Sequence, residues 1–357
     1  MKHALWYVGY SSTFKKNMET PLSPRESGEY IHENSKDVYI NEEGVKRIAE
    51  LLYAKQGTEE LSVNGWKHQN PLAPANTDDN SINWVYVVDT LNFSFWPDDD
   101  NKPCLVCYKG KTYSGYMALC AAITRALDEG IPITEASYFA NMTLDELKHV
   151  LRSDNDVPMP MIEERHRVLN ESGKILLEHG GCLRKFLSQG GRKTQQLIKF
   201  IVDNVPSYRD EACFEGKRIA FYKRAQILLA DFWGILEAKG EAALPDINYL
   251  TMFADYRVPQ ALVYFGALQY SDKLMKTLKE GAILPPGDHR ELEIRGCSIW
   301  CVEKIRDCLW DIIEQKEGQR SEDINSVIID FFLWHYAKRH QEEMAHIPIH
   351  HTRTIYY

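Results

Sequence analysis

The sequence lacks the features that identify several common protein classes. No apolar run approaches the roughly 18 residues that a membrane-spanning helix requires. The glycine-rich phosphate-binding patterns G-x-x-x-x-G-K-[ST] and G-x-G-x-x-G are missing, as are the nucleophile pattern G-x-S-x-G and the zinc pattern H-E-x-x-H. These absences argue against membrane insertion, ATP or dinucleotide chemistry, α/β-hydrolase catalysis and zinc proteolysis.

The eight cysteines form neither a disulfide framework nor a metal-ligand pattern. Cys104 and Cys107 have CxxC spacing, but a zinc site of this kind needs a second pair. Cys297, Cys301 and Cys308 recur on one face of a predicted helix, which is typical of small buried side chains. We therefore expect reduced thiols, no metal, and a location in the cytoplasm, with the nucleus as a second compartment.

The chain also has little positive charge. Its 42 Lys and Arg residues against 51 Asp and Glu residues give a formal net charge of −9. Proteins that grip a long phosphate backbone need a dense basic face. The charge therefore argues against a stable nucleic-acid complex, although a local basic pocket can still hold a single phosphate.

Apolar periodicity and helix punctuation predict a mostly α protein. An amphipathic helix is predicted at Glu43–Ala54, and S-x-x-E or T-x-x-E capping boxes begin at Ser23 and Thr143. From residue 114 onward, Gly and Pro separate predicted helices at 115–129, 134–141, 144–152, 160–178, 193–204, 219–239, 258–269, 271–280, 289–315 and 322–344.

A small β element is predicted near residues 84–108. Trp84–Asp89, Leu91–Trp96 and Cys104–Tyr108 are rich in β-branched and aromatic residues, which favours strands. Strands do not alternate with helices along the chain, so a doubly wound sheet or a (β/α) barrel is disfavoured.

The domain organisation follows from the same patterns. We expect residues 1–20 to be a disordered N-terminal extension, and residues 21–357 to form a single unit. Within that unit, residues 21–113 are a mixed α/β part and residues 114–357 a helical part.

Several acids and bases stand among aromatic residues more densely than packing requires. Asp231 lies beside Phe232 and Trp233, so it is expected to be partly buried and paired with a basic side chain as a structural tie. Lys223 and Arg224, near the predicted start of the same helix, are candidates for holding a phosphate.

Two further segments suggest a site for a flat base and a sugar. Asp255 and Phe253 precede a helix, so Asp255 is either an N-cap or a carboxylate that accepts N–H bonds from a guanine-type edge while Phe253 stacks on the ring. Asp330 and Trp334 share a helix face, and Asp330 is either a satisfied core acid or a functional one. This pattern suits hydrolysis of a nucleotide's glycosidic bond without singling it out.

Longer segments carry a resemblance to a known family. They are SPRESGEYI, WVYVVDTLNFSFW, KGKTYSGY, ALDEGIPIT, FYKRAQILLADFW, TMFADYRVPQ, EIRGCSIWCVE and the final IYY. Over about residues 21–357 the chain resembles the queuosine salvage protein family, whose members are queuosine 5′-phosphate N-glycosylases. The resemblance implies a helical fold similar to that of DNA glycosylases.

The resemblance also implies a reaction. Water replaces the base at the ribose C1′ of queuosine 5′-phosphate and releases queuine for reuse in tRNA modification, with no cofactor. The sugar passes through an oxocarbenium-like state, so a nearby carboxylate stabilises the developing positive charge or attacks the sugar carbon. Queuine is a 7-deazaguanine and has no N7 to protonate, so assistance to the leaving base must come through its other polar edges.

Residue by residue, the resemblance implies the following roles. Phe253 and Asp255 bind the base, while Asp330 faces the sugar with Trp334 beside it. His68 matches a pocket histidine of the family, with Asn70 as the competing residue.

Other assignments rest on chemistry, and one position departs from the family. Lys223, Arg224 and Arg257 are candidates for the 5′-phosphate. The family often has an acid where this chain has His335, so His335 is expected to orient water or bind ligand while Asp330 retains the catalytic role. The alternatives are a carrier that binds queuine or queuosine without chemistry, a glycosylase acting on DNA or tRNA, and a helical interaction scaffold.

Overall fold

The computed structural model describes residues 20–65, 70–99 and 102–357. The α-helices with fully described bounds are α1 (Pro24–Asn34), α2 (Glu42–Ala54), α3 (Asp79–Thr90), α4 (Tyr116–Asp128), α5 (Ala136–Phe139), α6 (Leu144–Val150), α7 (Ile162–Glu178), α8 (Leu183–Ser188), α9 (Thr194–Asn204), α10 (Lys223–Ile235), α11 (Arg257–Tyr264), α12 (Asp272–Lys279), α13 (His289–Glu317) and α14 (Ser326–Arg339). The strands are β1 (Val38–Ile40), β2 (Leu105–Tyr108), β3 (Lys111–Ser114), β4 (Glu211–Phe214), β5 (Lys217–Ala220) and β6 (Leu268–Tyr270).

The mostly α class is confirmed. Every helix predicted after residue 114 is present, with ends that differ by a few residues, and α8 is an additional short helix. Both predicted capping boxes form. The side chains of Ser23 and Thr143 accept hydrogen bonds from the backbone N–H groups of Glu26 and Glu146, whose carboxylates accept hydrogen bonds from the backbone N–H groups of Ser23 and Thr143. The predicted N-terminal extension at residues 1–20 lies, apart from residue 20, outside the described residues.

The small β element is confirmed at one of its three predicted strands. Leu105–Tyr108 pairs with Lys111–Ser114 in an antiparallel hairpin. The strand prediction at Trp84–Asp89 was wrong, because this segment lies in α3, and Leu91–Trp96 is irregular. Every residue of α3 from Ser81 to Thr90 is buried, so its β-branched and aromatic side chains pack on all sides of a helix.

Two other antiparallel pairs complete the β structure among the described residues. The hairpin β4–β5 closes through Glu215 and Gly216, both with positive φ, as a two-residue hairpin turn requires. β1 pairs with β6, which joins the start of the chain to the segment after α11.

The long helix α13 is the centre around which the N-terminal helices pack. α1 and α2 both lie against it, while α3 packs on α10 and α11 packs on α14. Gly296 permits the α1–α13 approach, since a Cβ there would lie 2.4 Å from the Ile31 side chain. These contacts bring α10, α11 and α14 to one cavity. Within the described ranges, no helix combines the length and apolar character that crossing a bilayer requires.

Candidate active site

A cavity of about 450 Å³ lies where α10, α11 and α14 meet the hairpin β2–β3 and the C-terminal segment. Seven of the predicted site residues line it: Lys223, Phe253, Asp255, Arg257, Asp330, Trp334 and His335. Asn70 and Asp231 also line it, whereas His68 lies outside the described residues. The fold therefore gathers side chains separated by more than a hundred positions into one site.

Asp330 lies in the second turn of α14, a helix that begins where the side chain of Asn325 accepts the N–H groups of Val327 and Ile328. Its side chain is buried, and its Oδ2 accepts a hydrogen bond of 2.9 Å from the backbone N–H of Phe253. Burial raises the pKa of the Asp330 carboxyl well above its usual value, and the negative charge of Asp255 raises it further. Asp330 is thus a cavity acid and not merely a satisfied core residue.

Phe253 and Asp255 lie in the loop before α11. Asp255 Oδ1 accepts the backbone N–H groups of Arg257 and Val258, both at 2.9 Å, so it does cap this helix. It also lines the cavity, and the Phe253 ring lies nearby, 6.0 Å from that of Phe331. Burial raises the pKa of Asp255, while the Lys223 ammonium lowers it. The capping and pocket interpretations of Asp255 therefore hold together.

Lys223 begins α10 and points toward these acids. Its buried Nζ donates to the carbonyl oxygen and to Oδ1 of Asn92, at 3.0 and 3.2 Å. Burial lowers its pKa to about 8, and the charges of Asp255, Asp89 and Asp330 oppose that shift. The ammonium is the cation that faces the acidic part of the cavity.

Arg224 departs from its predicted position. It does not line the cavity, and its buried guanidinium donates to the backbone carbonyls of Thr90 and Ser207. The chain turns through a left-handed Tyr222 just before α10, and on the resulting helix Lys223 faces the cavity while Arg224 faces the core. Arg224 therefore holds α10 against its neighbours, and its guanidinium does not face the cavity in which a phosphate would bind.

Asp231 lies two turns further along α10, with Asp89 of α3 nearby. Asp231 lines the cavity, and Asp89 is fully buried. Burial raises the pKa of Asp89 well above its usual value, and the charge of Asp231 raises it further. Close approach of two carboxyl groups in a dry interior favours keeping one of them protonated.

Trp334 and His335 form the aromatic wall contributed by α14. The Trp334 ring stands edge-on to Tyr116 at 5.8 Å and to His335 at 5.0 Å. Burial lowers the pKa of His335 to about 4, so this imidazole is neutral at pH 7. It can therefore donate or accept a hydrogen bond without bringing a charge to the site.

Sequence reasoning missed one cationic residue of the cavity. Lys338 lies one turn after Trp334, and its Nζ is 6.0 Å from the centre of that ring. The only signal in the sequence was its four-residue spacing from Trp334, which in turn follows Asp330 by four. In the part of the chain that the structure covers, no group of His, Cys, Asp and Glu side chains is arranged to hold a metal ion.

Known proteins resemble this chain over most of its length. The model of the queuosine salvage protein family matches residues 72–357. A protein of Bos taurus named queuosine 5′-phosphate N-glycosylase/hydrolase is 57% identical over 341 residues, which cover 95% of this chain and all of the relative. Proteins of the same name from Mus musculus and Schizosaccharomyces pombe are 55% and 36% identical, over 95% and 93% of this chain and 100% and 99% of their own lengths.

Proposed function

The chain belongs to the queuosine salvage protein family, and from this premise we propose that it hydrolyses the N-glycosidic bond of queuosine 5′-phosphate. Water would replace the base at C1′, giving queuine and ribose 5-phosphate. The observation that carries the proposal is the position of Asp330. Its carboxyl group is shielded from bulk solvent but lines the cavity, as Phe253 and Asp255 do. A nucleoside-sized ligand fits a cavity of about 450 Å³.

The base belongs at the end of the cavity formed by Phe253 and Asp255. The aromatic face of Phe253 offers a stacking surface, and the Asp255 carboxylate offers an acceptor to the N–H donors of the 7-deazaguanine edge. Hydrogen bonds from the N–H groups of the base to Asp255 stabilise the base as it departs. This form of assistance suits a leaving group that has no N7 to protonate. Acids at this end also suit the cationic amine of the queuine side chain.

Asp330 belongs beside the sugar. As the glycosidic bond lengthens, positive charge develops at C1′ and the ring oxygen, and a carboxylate a few ångströms away stabilises it or attacks the carbon. The N–H of Phe253 fixes Oδ2 at 2.9 Å, so the carboxylate is oriented before substrate arrives. The nearby Lys223 ammonium favours the ionised form that this role needs.

Three broader assignments accompany this proposal. Residues 21–357 act as one unit. The residues that line the cavity come from positions as far apart as 70 and 357, and α1 and α2 pack on α13. The reaction needs no cofactor and no stable nucleic-acid partner. The enzyme works in the cytoplasm or nucleus, a placement that its free cysteines support.

Chromatography of the reaction products tests the function directly. Purified protein incubated with queuosine 5′-phosphate is expected to release queuine and ribose 5-phosphate in equal amounts. Guanosine 5′-phosphate, which lacks the queuine side chain, serves as the control and is expected to remain intact. Tight binding of queuosine 5′-phosphate without any release of base would instead identify a carrier.

A further inference from the structure

Two cationic side chains, Lys338 and Arg257, line the cavity close enough to each other to interact electrostatically. Lys338 comes from the last turns of α14 and Arg257 from the first residue of α11. The helices pack on each other, which brings the two charges within electrostatic reach. Burial, together with the charge of Arg257, lowers the pKa of Lys338 to about 8.

Neither cation has a carboxylate partner at ion-pair distance among the residues that the structure describes. Lys338 Nζ lies over the Trp334 ring, 6.0 Å from its centre, and Arg257 Nη1 donates to Gln260 Oε1 at 3.0 Å. Asp255 interacts with the charge of Arg257 without forming an ion pair, and its Oδ1 accepts backbone N–H groups. Two like charges that face one cavity, with neither of them in an ion pair, favour binding of an anion.

The position of Lys338 on α14 fits the length of a nucleotide. Asp330, Trp334 and Lys338 follow at four-residue steps on one helix face, and all three line the cavity. Eight residues of helix span about 12 Å along the axis, and a lysine side chain reaches back toward the N-terminus over about half of that length. A sugar at Asp330 can therefore present its 5′ substituent to Lys338 across the Trp334 ring.

We propose that Lys338 and Arg257 form the subsite for the 5′-phosphate monoester, and that Lys338 determines the preference for the nucleotide over the nucleoside. The inference rests on the proposed function, because it takes the sugar to lie at Asp330. A phosphate monoester is close to a dianion at pH 7, so it matches two cations. Arg257 supplies a planar fork for two phosphate oxygens, and Lys338 supplies a point charge.

Lys223 is not part of this subsite. Its ammonium is held by Asn92 and lies among the charges of Asp255, Asp89 and Asp330. A phosphate placed at Lys223 would meet the negative charge of three acids, whereas no acid is among the charges that act on Lys338. The cationic subsite also leaves the amine of the queuine side chain at the acidic end, so the charges orient the nucleotide in one direction along the cavity.

Release of queuine from queuosine 5′-phosphate and from queuosine measures the preference. Lys338→Met removes the charge and keeps the apolar stem on Trp334, and it is expected to lower kcat/KM for the phosphate form about ten- to a hundredfold, mainly through KM. The same variant should leave kcat/KM for queuosine within about twofold of wild type. Lys338→Arg should retain most of the preference.

Arg339→Met is the matched control. Arg339 is the next residue on α14 but is exposed and pairs with Glu60 at 2.6 Å, so its loss removes the same charge outside the cavity. Its preference for the phosphate form should equal that of wild type. An unchanged preference in Lys338→Met, or an equal fall for both substrates, would overturn the subsite while leaving the hydrolysis in place.

Calorimetric titration with ribose 5-phosphate and with ribose separates the subsite from the reaction. Ribose 5-phosphate should bind wild-type protein, and Lys338→Met should lose most of that affinity. If queuine is never released but ribose 5-phosphate binding depends on Lys338, the subsite stands and the proposed function fails. If ribose 5-phosphate binds equally well to wild type and to Lys338→Met, the subsite is refuted.

Discussion

The Asp330 carboxyl lies in surroundings that oppose its own ionisation. Burial and the charge of Asp255 raise its pKa, whereas the Phe253 N–H and the Lys223 ammonium lower it. Stabilising an oxocarbenium-like sugar requires the carboxylate, so the protein holds a reactive anion at some electrostatic cost. Such a balance between opposing charges is typical of catalytic acids.

The pH dependence of kcat/KM tests this balance. Because the carboxylate is the active form and its pKa is raised, activity should rise with pH at values above the ordinary Asp range. Asp255→Asn removes a like charge, so Asp330 should ionise more readily. The acid limb, which is the rise of kcat/KM on the acidic side of the pH profile, should therefore move to lower pH, although the variant binds the base more weakly. Asp145→Asn, on the exposed start of α6, is the control and should leave the limb in place. A limb that stays in place in Asp255→Asn would show that this pair does not interact.

Single residues of the site were predictable from the sequence only where an acid or base stood in an apolar or aromatic setting. Asp330, Asp255 and Lys223 met that condition, and all three line the cavity. Lys338 did not, since Lys338-Arg339-His340 reads as the basic last turn that commonly ends a helix. Which of two adjacent cations faces a cavity is set by helix rotation, and tertiary packing fixes that rotation.

At the scale of elements, helices were predicted well because Gly and Pro mark their ends. The error at α3 has a physical cause: an apolar run looks alike whether it is a buried strand or a helix buried on every side. β1 and β6 were not predicted, because each strand has only three residues and pairs with a strand more than two hundred positions away. A strand that short carries no periodicity of its own.

The α1–α13 contact depends on a small residue at the crossing. A Cβ on Gly296 would lie 2.4 Å from Ile31 Cδ1, so Gly296→Ala should lower the free energy of unfolding by about 1–3 kcal/mol. Urea denaturation measures the loss. The same substitution in an Ile31→Ala background should cost less, because two of the three clashing atoms, Cδ1 and Cγ2, are gone and only Cβ remains. If Gly296→Ala lowered the free energy of unfolding equally in the two backgrounds, contact with the outer atoms of Ile31 would not be the source of the loss.

At the scale of the whole molecule, the cavity exists only through tertiary structure. Its walls come from segments between residue 70 and residue 357, and no sequence window contains both Asp255 and Asp330 at a spacing that predicts contact. The fold class and individual candidates could thus be predicted from composition and pattern. The meeting of α10, α11 and α14 could not, because it depends on how the helices pack.

Overall charge predicts how the protein treats nucleic acids. With a net charge of −9, we expect tRNA or duplex DNA to bind more weakly than about 10 µM at physiological salt. Fluorescence anisotropy with labelled tRNA measures this, and excess tRNA should leave hydrolysis of queuosine 5′-phosphate unchanged. Tight binding that weakens steeply with added salt would point to a nucleic-acid substrate.

The most direct test of the account is a single-turnover measurement on Asp330→Asn. The amide oxygen can still accept the Phe253 N–H, so the variant should fold and bind queuosine 5′-phosphate much as wild type does. Without the carboxylate, base release should slow by about 10³-fold. Release at the wild-type rate from a folded Asp330→Asn variant would contradict the account and move the catalytic role to another acid of the cavity.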